Sequence, residues 1–248
     1  MRLLGLVTLA LAAIWFGFVD NDWLDRRPVQ RLLFLGHSYT YYNDMPAMVA
    51  EMANSADSPV RYDVTMHAFA NASLEDHWHN RKTQQLLSQG GWHRVIVQPE
   101  GGLQPQDPTS SMQTFGVKLL GATIAAEPPM LVINHQATEA FYEAHYSVTR
   151  SEHAGIEQQN VRSLAMATGA DVIDIASVWD QVLAQDLPFS LYKDGNHPSL
   201  QGSYLIALVI YARLSGNGVD RINYVPWGMS SDDAELLRNK AQVALYGN

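Results

Sequence analysis

Ser38, Asp194 and His197 are the residues of this chain whose types and spacing can do chemistry together. A serine hydroxyl is a weak nucleophile near neutral pH and needs an adjacent base, and that base needs a third group to hold its tautomer. Ser38 follows Gly36-His37 at the end of the apolar run Leu32 to Leu35, which reads as a buried parallel strand followed by a sharp turn. A serine there stands in the crevice where open α/β sheets bind ligands. In Asp194-Gly195-Asn196-His197, the aspartate can reach back to one ring nitrogen and leave the other for the serine. Gly195 permits an unusual turn, and Pro198 fixes the backbone just after the histidine.

The elements that must bring these residues together alternate along the chain. Strands are expected at Arg31–Leu35, Tyr62–Ala68, Arg94–Gln98, Met130–Asn134 and Asp171–Ile175. Helices are expected at 45–55, 74–88, 111–126, 148–168, 200–214 and 231–246, several of them opened by a Ser, Asn or Asp cap and closed by glycine. The segment His135–Tyr146 is helical by composition but leaves a strand where site loops sit. Alternation of this kind predicts a parallel sheet with helices on both faces, and five strands suit a flavodoxin-like order better than an eight-stranded barrel.

Composition narrows the function classes. The chain has 248 residues, no cysteine and a formal net charge of -9, with only 16 Lys and Arg and no long basic run. The charge that dominates nucleic-acid binding is missing, and disulfides, thiolate metal sites and a cysteine nucleophile are excluded. Met1-Arg2 precedes an uncharged apolar run from Leu3 to Val19, which reads as an export signal or membrane anchor at residues 1–19. An uncleaved anchor is favoured over a cleaved signal, since cutting after Ala12 would leave Ile14-Trp15-Phe16 at the new end. Residues 20–30 then read as a linker and 31–248 as one catalytic domain, monomeric and outside the cytoplasmic membrane, periplasmic or extracellular.

Three blocks, FLGHSYT (34–40), ASLEDHW (72–78) and LYKDGNHP (191–198), occur in an order that resembles the SGNH (GDSL-like) hydrolases, in particular the subgroup with a GNS-type first block. The resemblance implies a three-layer α/β/α sandwich and serine ester hydrolysis without a cofactor, with Ser38 as nucleophile, His197 as base and Asp194 as orienting acid. It also implies an oxyanion hole from the N–H groups of Ser38 and of Asn71, which stands where the family has glycine and so must accept a glycine-like φ. The third block departs from the family: Gln98 is preferred as the side-chain amide donor over Glu100, which is nearer the family's position but only accepts when ionised. His37, Tyr41, Glu100 and His135 are expected near the pocket, His135 as readily in a structural role. His77 and His79 are two apart on an expected helix and chelate poorly, so no metal site is expected, and His77 is expected behind the second block. The substrate implied is a small acyl ester, O-acetyl above all, on a small molecule, carbohydrate or envelope polymer. A silent glycan- or protein-binding domain and an O-acyltransferase are the alternatives. An ordinary α/β-hydrolase is disfavoured because Thr40 replaces the second glycine of its G-x-S-x-G turn.

Overall fold

The computed structural model describes residues 25–56, 58–100 and 108–247. Five strands form one parallel sheet in the order β2-β1-β3-β4-β5: β1 Val29–Gly36, β2 Arg61–Ala68, β3 Arg94–Val97, β4 Met130–Ile133 and β5 Asp171–Asp174. This is the flavodoxin-like order expected, and the topological switch falls between β1 and β3.

Side chains of a strand alternate between faces, and each face here carries its own core. Leu32, Phe34, Ile96, Met130, Val132 and Ile173 pack beneath α2 Met45–Ser55, α8 Ile175–Leu183, α9 Leu200–Ser215 and α10 Ser231–Tyr246. Leu33, Leu35, Val95, Val97, Leu131 and Ile133 pack against the other layer, which includes α3 Leu74–His79, α4 Arg81–Gln89, α5 Pro108–Gly121 and α7 Arg150–Thr168. Burying one such side chain is worth roughly 1.5–3 kcal/mol, so the two faces hold the three layers together. α9 is buried without interruption from Gly202 to Ala212, which explains its apolar sequence on every side.

Several boundaries differ from the sequence expectation. β1 begins at Val29, because Val29 and Gln30 pair with Arg61 and Tyr62, so the last two residues assigned to the linker belong to the sheet. Arg27 is also docked, donating to Ala53 O and Ser58 O at 3.2 and 3.3 Å. The single helix expected over 74–88 is two, since Asn80 leaves helical geometry and its side chain caps Lys82 and Thr83 N–H. α5 stops at Gly121 rather than near Ala126. The segment 135–146 resolves into a loop and a short helix, α6 Glu139–His145, capped by Thr138. The expected anchor at residues 1–19 lies outside the described residues; among the described residues no helix is long and apolar enough to cross a membrane.

Candidate active site

Ser38 opens the four-residue helix α1, Ser38–Tyr41, immediately after β1. Gly36 is required there: a Cβ would lie 2.1 Å from Thr40 Oγ1 and 3.1 Å from Gln98 Cβ. The turn is held from behind by His77, whose Nε2 donates to Gly36 O at 3.0 Å while Nδ1 lies 3.2 Å from Thr83 Oγ1. His77 thus sits behind the second block, as expected. Two residues after α1, Asn43 crosses to the start of α9, donating to Ser199 O at 3.1 Å and Ser203 Oγ at 2.8 Å.

The loop before α9 carries the acid and the imidazole. Asp194 Oδ2 lies 2.8 Å from His197 Nδ1, and Oδ1 accepts the N–H groups of Asn196 and His197 at 3.0 and 2.7 Å. Burial alone raises the Asp194 carboxyl, but these bonds together outweigh it and hold it below the usual carboxylate range. Gly195 adopts φ 84°, and its carbonyl accepts Thr138 N–H at 2.8 Å, tying the loop to the segment after β4. On its face, the His197 ring stacks on Tyr42 with centroids 4.5 Å apart and planes 6° from parallel. Lys193 Nζ lies 4.9 Å from the Tyr42 ring centroid. Tyr39, next to Ser38, donates its hydroxyl to Asn196 Oδ1 and so bonds the two catalytic blocks directly.

Ser38 and His197 line one cavity of about 680 Å³ at the C-terminal edge of the sheet. No hydrogen bond joins them; such bonds commonly tighten only when substrate binds. Ser38, 7% exposed, is part of that cavity's wall. Asn71, also on its wall, has φ 54°, the left-handed conformation that a residue replacing glycine must tolerate. Among the described residues, neither the Ser38 nor the Asn71 N–H is bonded to an acceptor.

Of the other expected residues, His37, Glu100 and His135 line the cavity. His37 is no rival base: its Nε2 donates to Pro99 O at 3.2 Å, and burial pushes its pKa down to about 4. His135 donates through Nε2 to Asn196 O at 3.1 Å and stacks on Trp179 with centroids 4.1 Å apart. Burial pushes it down to about 3, so it supports the 194–197 loop as a neutral ring. Burial raises the Glu100 carboxyl, with Asp76 adding to the effect.

Two expectations are corrected. Gln98 does not reach the cavity wall: it is 2% exposed, its Oε1 accepts Thr40 Oγ1–H at 2.7 Å, and its Nε2 donates to Asn134 Oδ1 at 2.7 Å. Its amide is committed to bracing α1 against β4. Tyr41 does not line the cavity either; it ends α1 and stacks on Tyr42, and Tyr39 takes the cavity-lining position.

The sequence reading also missed a polar wall. Asn134 and Gln136 follow β4 directly, and His153, Glu157 and Asn160 project from α7 into the same cavity. Their spacing of four and three puts them on one helix face, which the sequence shows, but not that this face turns inward.

No family model matches the sequence, and no curated protein matches it either. Solved structures do. A protein from Slackia heliotrinireducens assigned to the SGNH hydrolases superposes with a TM-score of 0.62 at 24% identity, covering 75% of this chain and 99% of its own. A DUF4886 family protein from Bacteroides uniformis gives 0.72 at 14% identity, covering 88% and 96%. Axe2, an acetylxylan esterase from Geobacillus stearothermophilus, gives 0.62 at 16% identity, covering 79% and 97%. Matched Axe2 structures include catalytic mutants of a serine, an aspartate and a histidine, the last two three residues apart. The chain has the three-layer α/β/α fold of the SGNH hydrolases.

Proposed function

We propose that the protein is a serine esterase of the SGNH type that hydrolyses small acyl esters, O-acetyl groups above all. The observation that carries this reading is the Asp194 Oδ2 to His197 Nδ1 contact of 2.8 Å beside a serine that lines the same cavity as the imidazole. Ester hydrolysis needs a nucleophile, a base, an orienting acid and oxyanion donors; Ser38, His197 and Asn71 line this cavity, and Asp194 is bonded to His197 Nδ1. The shared fold with an acetylxylan esterase, and the Asp-to-His spacing it has in common with that enzyme's catalytic mutants, support the same assignment.

In this mechanism Ser38 Oγ forms a bond to the ester carbonyl carbon as its proton passes to His197 Nε2. Asp194 stabilises the imidazolium and fixes Nδ1–H toward itself. The N–H groups of Ser38 and Asn71 bind the oxyanion, each such donor contributing roughly 3 kcal/mol to the transition state. The carbon–oxygen bond to the alcohol breaks, and His197 returns the proton to the leaving oxygen. Water then gives a proton to His197 and attacks the acyl-enzyme, releasing the acid and restoring Ser38.

The test is turnover of aryl acetates by the protein and by its Ser38→Ala and His197→Ala variants. Loss of turnover in both variants is expected; turnover that persists in both rejects the triad.

A further inference from the structure

One wall of the cavity is built from largely buried polar side chains. His153, Glu157 and Asn160 stand on one face of α7, with Gln136 and Tyr142 beside them. Glu157 is 4% exposed, yet among the described residues its carboxyl is met by neutral donors alone: Asn134 N–H and Nδ2 at 2.9 and 2.8 Å on Oε1, and Gln136 Nε2 on Oε2. Tyr142 Oη donates to Gln136 Oε1 at 2.6 Å, which fixes the amide's orientation toward Glu157. Asn160 is 5% exposed and lines the cavity, and among the described residues its side-chain amide has no hydrogen-bond partner. The amide atoms are open to the cavity rather than sealed from it, so their donor and acceptor capacity is available to a group that enters. Among the described residues, Glu75, Glu100 and Glu157 line the cavity, and no lysine or arginine does.

We propose that the α7 face formed by Glu157 and Asn160 is a subsite for the hydrogen-bond-donating head of the substrate, a hydroxyl or ammonium group on the alcohol side of the ester, and that it rejects anionic heads. The proposal rests on the esterase reading for its chemistry. A long acyl chain is a poor occupant, because it would strip water from these groups and return no hydrogen bonds. A polyol or amino sugar returns them: its donor hydrogens meet Glu157 and its oxygens meet the Asn160 amide. A carboxylate head would enter a wall that already carries negative charge. Burial raises Glu157 to about 7, so near neutrality it accepts from a hydroxyl in either of two ionisation states and gains its charge when an ammonium approaches.

The experiment compares kcat/KM for O-acetylated methyl glucoside, glucosamine and glucuronate, each divided by kcat/KM for 4-nitrophenyl acetate, which lacks the head. The glucoside or glucosamine ratio is expected to exceed the glucuronate ratio about tenfold or more. Asn160→Ala and Glu157→Gln are each expected to lower the favoured ratio about tenfold. An ammonium head makes the glucosamine ester the better substrate and Glu157→Gln the more damaging change; a hydroxyl head makes the glucoside at least its equal. Ratios within twofold of the parent in both variants, or a glucuronate ester used as well as the glucoside, overturn the subsite. Because Glu157 also braces Asn134, Asn160→Ala keeps the test valid should Glu157→Gln fold poorly. Calorimetric titration of Ser38→Ala protein with the acetylated glucoside and glucosamine separates the two readings. Binding of either ester that Asn160→Ala weakens about tenfold in the same background supports the subsite even if the parent shows no turnover, an outcome that would sink the esterase reading alone. No binding of either ester, or binding indifferent to Asn160→Ala, sinks the subsite.

Discussion

The His197 ring is fixed from its edge by Asp194 at 2.8 Å and on its face by Tyr42, whose centroid lies 4.5 Å away. Each contact predicts a different kinetic signature. Asp194→Asn offers His197 an amide in place of a charge and leaves the imidazolium uncompensated, so kcat for aryl acetates should fall on the order of 10³- to 10⁴-fold. Tyr42 touches no reacting atom on the proposed path. Tyr42→Phe keeps the stack and should stay within about twofold of the parent, whereas Tyr42→Ala frees the ring and should lower kcat about tenfold with KM nearly unchanged. Equal kcat in the alanine variant would show that the stack is only packing. At this scale the spacing of Asp194 and His197 was enough to read an acid and base pair, since three residues in a tight turn leave few other arrangements. Spacing said nothing of where Gln98 and Tyr41 turn. Gln98 lies one residue past a buried strand, and whether its amide reaches a cavity or a neighbouring Asn134 depends on β4, far away in sequence.

The turn between β2 and α3 places Asn71 by backbone conformation rather than by its side chain. With φ at 54°, Asn71→Gly should preserve stability and turnover, while Asn71→Ala keeps the Cβ but loses the polar side chain that makes the left-handed region tolerable, at a cost of about 1 kcal/mol. Urea unfolding of the three proteins checks the stability, and aryl acetate turnover checks the N–H direction. An alanine variant as stable as the parent would show that the left-handed backbone there does not depend on the asparagine side chain. The strands were legible because runs such as Leu32–Leu35 and Met130–Ile133 are buried on both faces and read as continuous apolar segments. The break at Asn80 was not: Asn fits a helix passably, and only its bonds to Lys82 and Thr83 N–H reveal a cap. The polar face of α7 was passed over for a related reason. His153, Glu157 and Asn160 look like an ordinary solvated stripe until the helix is seen to turn that face inward, and no local pattern reports which way a helix is turned.

Across the whole molecule, the 2-1-3-4-5 sheet gathers the ends of β1, β2 and β4 and the loop before α9 along one edge, and that convergence makes distant residues into one cavity. The buried Glu157 gives the fold a pH signature. Its folded value, about 7, lies above the ordinary carboxyl value of 4.5, so the native state holds a proton that the unfolded chain releases between those limits. The stabilising contribution is therefore complete below about pH 4.5 and is lost as pH rises to about 7, a difference on the order of 3 kcal/mol. His37 and His135, depressed to about 4 and about 3, act with the opposite sign as pH falls below 6.5. The parent's slope therefore mixes these groups with the raised Glu100 and the lowered His77, and the difference between the parent and Glu157→Gln isolates the Glu157 carboxyl. That difference in unfolding free energy should change by a few kcal/mol between pH 4.5 and 7 and then level off; a constant difference would place the Glu157 value near that of an exposed carboxyl. The central claim concerns Ser38 alone, and a fluorophosphonate tests it most directly. Peptide mass spectrometry after treatment should find a single phosphonyl adduct on Ser38, formed at least a hundredfold more slowly in His197→Ala, as expected when a serine loses its general base. An unmodified Ser38, or an adduct formed as fast without His197, would contradict the account.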